Sequence, residues 1–170
     1  PTDLLAGTKF ITARGFAGRT TDSGQTLDAI WAPDGRSIVF VATMDRHRAA
    51  YAFTSSQIFR LAASGGEPVA LTSGADQWSE PAFSPDGRTL YSLVERRTDK
   101  VYNRTQIAAF DWPSASAPRW LTSQIDLAVG RFAVSADSRE LYFQAEQEGR
   151  ERVFRLPARG GAAVALDPDS

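Results

Sequence analysis

A turn sequence that occurs three times constrains the fold of this chain more than any other feature. Residues 31–40 read Trp-Ala-Pro-Asp-Gly-Arg-Ser-Ile-Val-Phe, residues 83–91 read Phe-Ser-Pro-Asp-Gly-Arg-Thr-Leu-Tyr, and a looser copy occupies residues 134–143. The aspartates of the three copies, Asp34, Asp86 and Asp137, are separated by 52 and 51 positions. A regular period of this length predicts stacked structural units, such as the blades of a propeller.

Each repeat contains four short runs with strand character. They lie at residues 27–31, 37–42, 57–61 and 68–71, at 80–83, 89–94, 105–110 and 119–121, and at 130–134, 140–145, 152–156 and 163–166. Short strands joined by regular turns, without a useful helical period, predict an all-β fold, and four strands per repeat favour a propeller over a sandwich. We therefore expect a β-propeller fragment of about three four-stranded antiparallel blades, at residues 27–74, 75–124 and 125–170.

The first 26 residues have a weaker pattern and are expected to form an N-terminal loop or partial strand. Residues 8–13 resemble a short strand, and residues 14–25 are rich in Gly, Thr and Ser, which is typical of a loop. This segment either trails from a preceding unit or adds a strand to an exposed edge, and the sequence leaves both alternatives open.

The repeated residues themselves are those that a tight turn requires. Aspartate hydrogen-bonds its own backbone in turns, and glycine adopts a positive φ without steric cost, so Asp-Gly between apolar runs predicts a hairpin. In the third repeat Ala136 replaces the proline and Ser138 the glycine, so that hairpin need not share the turn type of the others. The predicted structural turn motif consists of Pro33, Asp34, Gly35, Pro85, Asp86, Gly87 and Asp137.

The antiparallel order of a blade sorts its connections onto two ends. The turns between strands one and two and between strands three and four share one end, which is expected to be tight and structural. The longer polar loops at residues 44–55, 95–104 and 146–150 share the other end with the connections between blades. Variable loops on a rigid scaffold are better placed for contacts with a ligand or partner.

Composition excludes several classes of function. The chain has 170 residues, a formal net charge of −1 and no cysteine, so it lacks the positive charge typical of nucleic-acid and membrane-surface binding and has neither disulfides nor a thiolate zinc site. No apolar run approaches the length of a membrane span. We expect no cofactor, metal, nucleic acid or membrane partner, and the compartment is left open between cytoplasm and periplasm.

Motifs for catalysis or cofactor binding are weak. The Gly-x-Ser-x-Gly pentapeptide of a hydrolase nucleophile elbow does not occur, and the sole histidine, His47, lies between two arginines in a polar loop. Residues 13–20 loosely echo a phosphate-binding loop, but Ala13 and Arg19 stand where its first glycine and its lysine belong, and no helical stretch follows. The three turn aspartates belong to separate blades and do not converge on a metal. We therefore predict no catalytic, cofactor-binding or metal-binding residue in this chain.

Aromatic residues recur at strand positions and are expected to form the core between blades rather than a stacking platform. They are Trp31, Phe40, Phe59, Phe83, Tyr91, Phe110, Trp120, Tyr142, Phe143 and Phe154.

Together, the Pro-Asp-Gly-Arg turns, the run Gln-Ile-Phe-Arg-Leu at residues 57–61, Gly65-Gly66 and Leu71-Thr72 resemble a known repeat. It is the WD-like propeller repeat of prolyl oligopeptidase-family serine peptidases, especially the acylaminoacyl and dipeptidyl peptidase branch, and the resemblance covers residues 27–166. A similar repeat occurs in TolB-type propellers, whose units tend to be shorter and more uniform.

This resemblance implies a role in a larger protein. In the peptidase family a propeller restricts access of peptides to a separate α/β-hydrolase domain that carries the catalytic residues, so the chain alone is expected to have no peptidase activity. Related peptidases use propeller glutamates to meet a substrate amine, but no flanking motif supports that role for Glu80, which is expected to be a solvated carboxylate.

The expected partners follow from the repeat and the resemblance. They are the remaining blades, the hydrolase domain and the peptide substrate of a longer parent protein. Because three blades leave open edges, the isolated chain is expected to form an edge-to-edge homodimer, in which two copies would supply six blades. The alternatives are a TolB-like module for protein–protein interaction and a structural domain with no enzyme attached.

Overall fold

A computed structural model describes residues 2–21, 24–99 and 102–166. The chain divides after Pro81 into two compact units. Three four-stranded antiparallel sheets follow one another along the sequence, and a separate two-stranded hairpin precedes them. The expectation of an all-β chain with three four-stranded sheets is confirmed. None of the helices in the described part is long and apolar enough to cross a bilayer.

The first sheet belongs to the first unit, and its strands are hydrogen-bonded in chain order. It comprises β3 (Ile30–Trp31), β4 (Ser37–Ala42), β5 (Gln57–Ala62) and β6 (Val69–Ala70). Almost every residue of β4 is buried, which agrees with its continuous apolar sequence and a position covered on both faces. A single turn of 3₁₀-helix, Arg46–Arg48, lies in the loop between β4 and β5 and replaces no strand.

The N-terminal segment differs from its prediction. The expected strand at residues 8–13 is instead a one-turn helix α1 (Lys9–Thr12), whose first turn is capped by the Thr8 hydroxyl accepting a hydrogen bond from the Ile11 N–H. The expected loop contains an antiparallel hairpin, β1 (Arg19–Thr21) and β2 (Gly24–Thr26), and residues 22 and 23 of that loop lie outside the described residues.

Helix α1 is held in place by the aromatic ring of Phe10, which packs on one face of the first sheet. Its ring centroid lies 4.7 Å from that of Phe59, 5.8 Å from that of Phe40 and 5.0 Å from that of Phe16. Leu4, Leu5 and Leu27 pack around the same cluster. The N-terminal segment therefore covers that face of the first sheet with apolar side chains, and a lone helical turn persists because tertiary contacts stabilise it.

The second sheet comprises β7 (Gln77–Phe83), β8 (Thr89–Glu95), β9 (Thr105–Asp111) and β10 (Arg119–Trp120), again in chain order. The division between the two units falls within β7. The predicted loop at residues 95–104 joins β8 to β9, and residues 100 and 101 of it lie outside the described part.

The third sheet comprises β11 (Val129–Val134), β12 (Glu140–Gln147), β13 (Arg150–Pro157) and β14 (Val164–Ala165). The charged loop expected at residues 146–150 is wrong in extent, because Gln147 pairs with Arg150 and only two residues form the turn. Those residues, Glu148 and Gly149, have φ values of 53° and 76°, as in the type I′ turn that matches the twist of paired strands.

The core of the second unit lies between its sheets. Tyr91, Leu93 and Ile107 of the second sheet join a buried cluster with Leu141 and Phe143 of the third. The rings of Phe143 and Phe154 are stacked, with centroids 5.2 Å apart.

Two of the aromatic residues assigned to the core are exposed, and two others, Phe83 and Trp120, are only partly buried. Trp31 is 61% exposed and Tyr142 is 36% exposed. Side chains alternate between the two faces of a strand, so Tyr142 points away from the face on which its neighbours Leu141 and Phe143 are buried. Trp31 ends a strand of only two residues and is paired with Ile38, which is itself only partly buried.

Candidate functional site

The repeated turn residues build three hairpins of one geometry. Gly35 donates its N–H to the Ala32 carbonyl at 2.9 Å, which places Pro33 second, Asp34 third and Gly35 fourth in a four-residue turn. Asp34 Oδ1 accepts the Arg36 N–H at 2.9 Å. Proline at the second position and glycine at the fourth are typical of a type I turn, so the Asp-Gly pair sits one place later than in a two-residue hairpin.

The third hairpin keeps this geometry despite its different residues. Ser138 donates its N–H to the Ser135 carbonyl at 2.9 Å, as Gly87 does to Ser84 in the second repeat. The φ of Ser138 is 62°, close to the 65° of Gly35 and the 71° of Gly87. The sequence allowed this hairpin a different turn type. It has the same turn geometry as the other two, because Ser138 adopts the left-handed conformation.

Two of the turn aspartates are ionised more readily than usual. The Ser84 hydroxyl donates to Asp86 Oδ1 at 2.6 Å, and together with the Arg88 N–H it lowers the pKa of that carboxyl. Ser135 and the Arg139 N–H lower the pKa of Asp137 in the same way. Each aspartate thus accepts hydrogen bonds from donors of its own turn, which is a structural role.

A charged group that the sequence analysis missed lies in the first unit. Arg19 forms a bidentate ion pair with Asp28, at 2.9 and 3.0 Å. Its pKa is raised mainly by that hydrogen bond, against a smaller opposing effect of burial, and the charges of Asp28 and Glu80 raise it further. Asp28 and Glu80 precede their turn aspartates by the same six positions, and both have a left-handed backbone, with φ of 46° and 48°. That shared spacing was the signal available in the sequence.

Other residues singled out from the sequence do not assemble a reactive centre. His47 is exposed on the 3₁₀ turn, and the phosphate-loop echo at residues 13–20 continues into strand β1 rather than a helix. Glu80 is exposed within β7. Among the described residues, no three histidines or acidic side chains come close enough together to hold a metal ion.

The face of the third sheet that bears Tyr142 carries exposed apolar side chains between polar ones, with Arg155 directly opposite Tyr142. Tyr142 and Val153 are 36% and 37% exposed, and with Ala133 they line a shallow cavity of about 210 Å³. Tyr91 occupies the same position in the second sheet, five residues after its turn aspartate, and Ile107 matches Val153 in register; both are fully buried. Burial raises the pKa of Tyr91.

Two polar side chains on the same face have unused hydrogen-bonding capacity. Glu140 and Gln144 lie two residues to either side of Tyr142, and therefore on its face of β12. Glu140 Oε2 and Gln144 Oε1 are buried, and neither accepts a hydrogen bond from a residue that the structure describes. Buried acceptors are normally satisfied, so these two oxygens are exceptions that a hydrogen-bond donor could satisfy.

Comparison with known proteins gives the fold. No protein-family model matches the sequence, and no curated protein matches it. Among solved structures, the chain is similar to a puromycin-hydrolysing peptidase from Mycobacterium tuberculosis (TM-score 0.62, 20% identity), covering 84% of this chain and 23% of that one. It is also similar to the β-propeller domain of the trilobed protease from Pyrococcus furiosus (TM-score 0.59, 15% identity), covering 83% of this chain and 39% of that one. A third similar structure is TolB from Acinetobacter baumannii (TM-score 0.57, 19% identity), with 84% of this chain and 32% of that one covered.

The chain spans between about a quarter and two-fifths of the length of these three structures. Identities this low carry the fold and not the activity. Three four-stranded antiparallel sheets in chain order, with almost no helix and these neighbours, establish the fold as that of a β-propeller segment.

Proposed function

We propose that this chain is a non-catalytic segment of a prolyl oligopeptidase-like serine peptidase, in which the propeller gates or orients peptide substrates for an α/β-hydrolase domain. The observation that carries the proposal is the face of the third sheet bearing Tyr142. Tyr91 is buried against the next sheet and Tyr142 is exposed in the following repeat, and this difference supports the proposal that a further blade of a longer protein packs on Tyr142.

The peptidase part of the proposal draws on two supports. The Pro-Asp-Gly repeat resembles that of the peptidase propellers, and two of the similar solved structures are described as a peptidase and a protease. The charged group of Arg19, Asp28 and Glu80 adds a third consideration. Asp28 lies two residues before β3 and Glu80 lies within β7, and charges of both signs in this region suit the polar ends of short peptides.

The experiment that tests the peptidase proposal begins with the parent open reading frame. A downstream Gly-x-Ser-x-Gly followed by aspartate and histidine is expected. The full-length protein should then hydrolyse short peptides, whereas its nucleophile Ser→Ala variant and the present chain alone should not. A parent protein without a hydrolase domain would overturn the proposal.

A TolB-like module for protein–protein interaction is the second candidate, and it is favoured by the similarity to the TolB of A. baumannii. In that case the parent frame would lack the nucleophile elbow. Affinity capture on the intact parent protein would then retain a protein partner. Substitutions in the long loops at residues 44–55 or 95–104 should release that partner.

The isolated chain is proposed to form an edge-to-edge homodimer, in which this exposed face of the terminal sheet contacts the second copy. Replacing Tyr142 with Lys places a second positive charge opposite Arg155 and should convert the dimer to a monomer in light scattering, because an unpaired charge buried at an interface is costly. Tyr51→Lys is the matched control, since Tyr51 is exposed in the first unit. A chain that is monomeric at high concentration without any substitution would contradict the proposal.

A further inference from the structure

A small polar cavity that none of the roles above uses lies where β8 ends and β9 begins. Its volume is about 230 Å³, and it is lined by Arg96, Thr98, Tyr102, Asn103, Arg104 and Gln106. All six residues belong to the second unit.

The register of the sheet places the key side chains on one face. Glu95 pairs with Thr105 and Val94 with Gln106, so Arg96 and Arg104 face each other one position beyond the last pair. Side chains alternate along a strand, and opposite residues of an antiparallel pair share a face, so Arg96, Arg104 and Gln106 point to the same side. Like charges placed opposite each other on paired strands repel, and a bound anion relieves that repulsion.

Both arginines are held in position by other groups. The guanidinium of Arg96 lies over the ring of Trp120, with Cζ 4.4 Å from the ring centroid. Arg104 Nη1 donates to the Ile125 carbonyl at 2.8 Å and to Asp126 at 2.5 Å. These contacts favour the side-chain positions that line the cavity, which reduces the entropy lost when a ligand binds.

The cavity contains unused donors and an unused acceptor. Arg96 has five N–H groups, and it donates none of them in a hydrogen bond to the described part of the chain. No carboxylate pairs with it there either, whereas Asp126 balances the charge of Arg104. Gln106 Oε1 is buried and accepts no hydrogen bond from any described residue.

We propose that this cavity binds the carboxylate of an acylated amino acid, as at the C-terminal residue of a peptide. The carboxylate accepts hydrogen bonds from the planar guanidinium of Arg96, and the adjacent amide N–H of the ligand donates to Gln106 Oε1. The inference goes beyond the proposed function, because binding here requires no hydrolase domain and is measured on this chain alone.

Three small probes separate the two contacts. N-acetylglycine carries both a carboxylate and the neighbouring N–H, acetate carries only the carboxylate, and N-acetylglycinamide carries the N–H without the charge. In ¹⁵N-resolved NMR titrations, N-acetylglycine should saturably shift the indole N–H of Trp120. Acetate should bind about tenfold more weakly because it lacks the amide contact, and N-acetylglycinamide should not saturate.

Variants of the chain complete the test. Arg96→Gln should weaken N-acetylglycine binding at least about tenfold, whereas Arg97→Gln, at the next position along the chain, should leave it unchanged. Gln106→Met keeps the side-chain volume and should abolish the preference for N-acetylglycine over acetate. Retained dispersion of the amide spectrum shows that each variant is folded.

Two results would overturn the inference. One is equal binding of acetate, inorganic phosphate and N-acetylglycine that Arg96→Gln does not alter, which would indicate non-specific anion binding. The other is the absence of any saturable shift with N-acetylglycine. A parent protein without a hydrolase domain would remove the proposed function and leave this inference standing.

Discussion

The hydroxyl oxygen of Ser138 accepts a hydrogen bond of 3.0 Å from the backbone N–H of Asp86. The two residues lie in successive Pro-Asp-Gly-type turns, 52 positions apart, and both belong to the second unit. Ser138 adopts the left-handed backbone that Gly87 adopts in the preceding repeat, and it supplies an acceptor that glycine lacks. The departure from the repeat thus connects the turns of two neighbouring sheets.

Ser138 lends itself to a paired test. Ser138→Ala removes the hydrogen bond and keeps the energetic cost of a left-handed backbone at a residue with a Cβ. It should therefore lower the free energy of unfolding by about 1 kcal/mol. Ser138→Gly also loses the bond but relieves a backbone cost of about 1 kcal/mol, so it should be close to neutral. Urea denaturation of both variants measures the difference, with the exposed Ser73→Ala as control. Equal destabilisation by Ala and Gly would contradict this account.

Phe10 should contribute strongly to the stability of the first unit. Its ring contacts those of Phe16, Phe40 and Phe59, so Phe10→Ala should lower the free energy of unfolding by about 3 kcal/mol through lost burial and the cavity left behind. The same helical turn offers a control, since Ile11 is exposed and Ile11→Ala should cost well under about 1 kcal/mol. Thermal and urea unfolding measure both, and similar losses would show that α1 is not anchored by Phe10.

Gly15 should not tolerate a side chain. A Cβ at this position would lie 2.0 Å from the carbonyl oxygen of Met44 and 2.7 Å from His47 Nδ1, and a backbone oxygen has little room to move. Gly15→Ala should therefore destabilise the first unit by about 2–3 kcal/mol. Gly130→Ala is the matched control, because its Cβ would come no closer than 3.6 Å to a neighbour, and its effect should stay within about 0.5 kcal/mol. Chemical denaturation of the two variants decides the matter.

Local sequence signals predicted the sheets well where the repeat was strong. The strand expected at residues 37–42 is β4 (Ser37–Ala42), because its apolar run is bounded by a turn on one side and a polar loop on the other. The charged residues 146–150 predict a loop, because sequence polarity does not distinguish a long loop from exposed strand ends joined by a two-residue turn. Helix α1 was missed because one helical turn is too short to show a period.

The candidate sites depended on contacts that no local pattern contains. The pairing of Arg19 with Asp28 joins a hairpin to the start of a blade. The cavity beside Arg96 depends on strand register, in which Arg96 and Arg104 face each other across residues that the sequence separates. The exposure of Tyr142 follows from its position on the far side of the last described sheet, whereas the same residue type at position 91 is buried.

The lowered pKa values of Asp86 and Asp137 predict a specific loss of stability in acid. The ordinary pKa is 3.8, and hydrogen bonds from Ser84 and Ser135, followed by those from the Arg88 and Arg139 N–H groups, lower it in the folded state. Each carboxylate therefore stabilises the folded chain. This stabilisation is fully present above the pKa of the carboxyl in the unfolded state, and it is lost as the pH falls through the lower pKa of the folded state.

Asp137→Asn keeps an acceptor for the Arg139 N–H but does not titrate, so its melting temperature should fall less steeply than that of the native chain below about pH 4. Melting curves from pH 7 to pH 2 measure the slopes, with Asp99→Asn, an exposed loop substitution outside the turns, as control. Parallel curves for the native chain and Asp137→Asn would show that the serine hydroxyls do not favour the ionised turn.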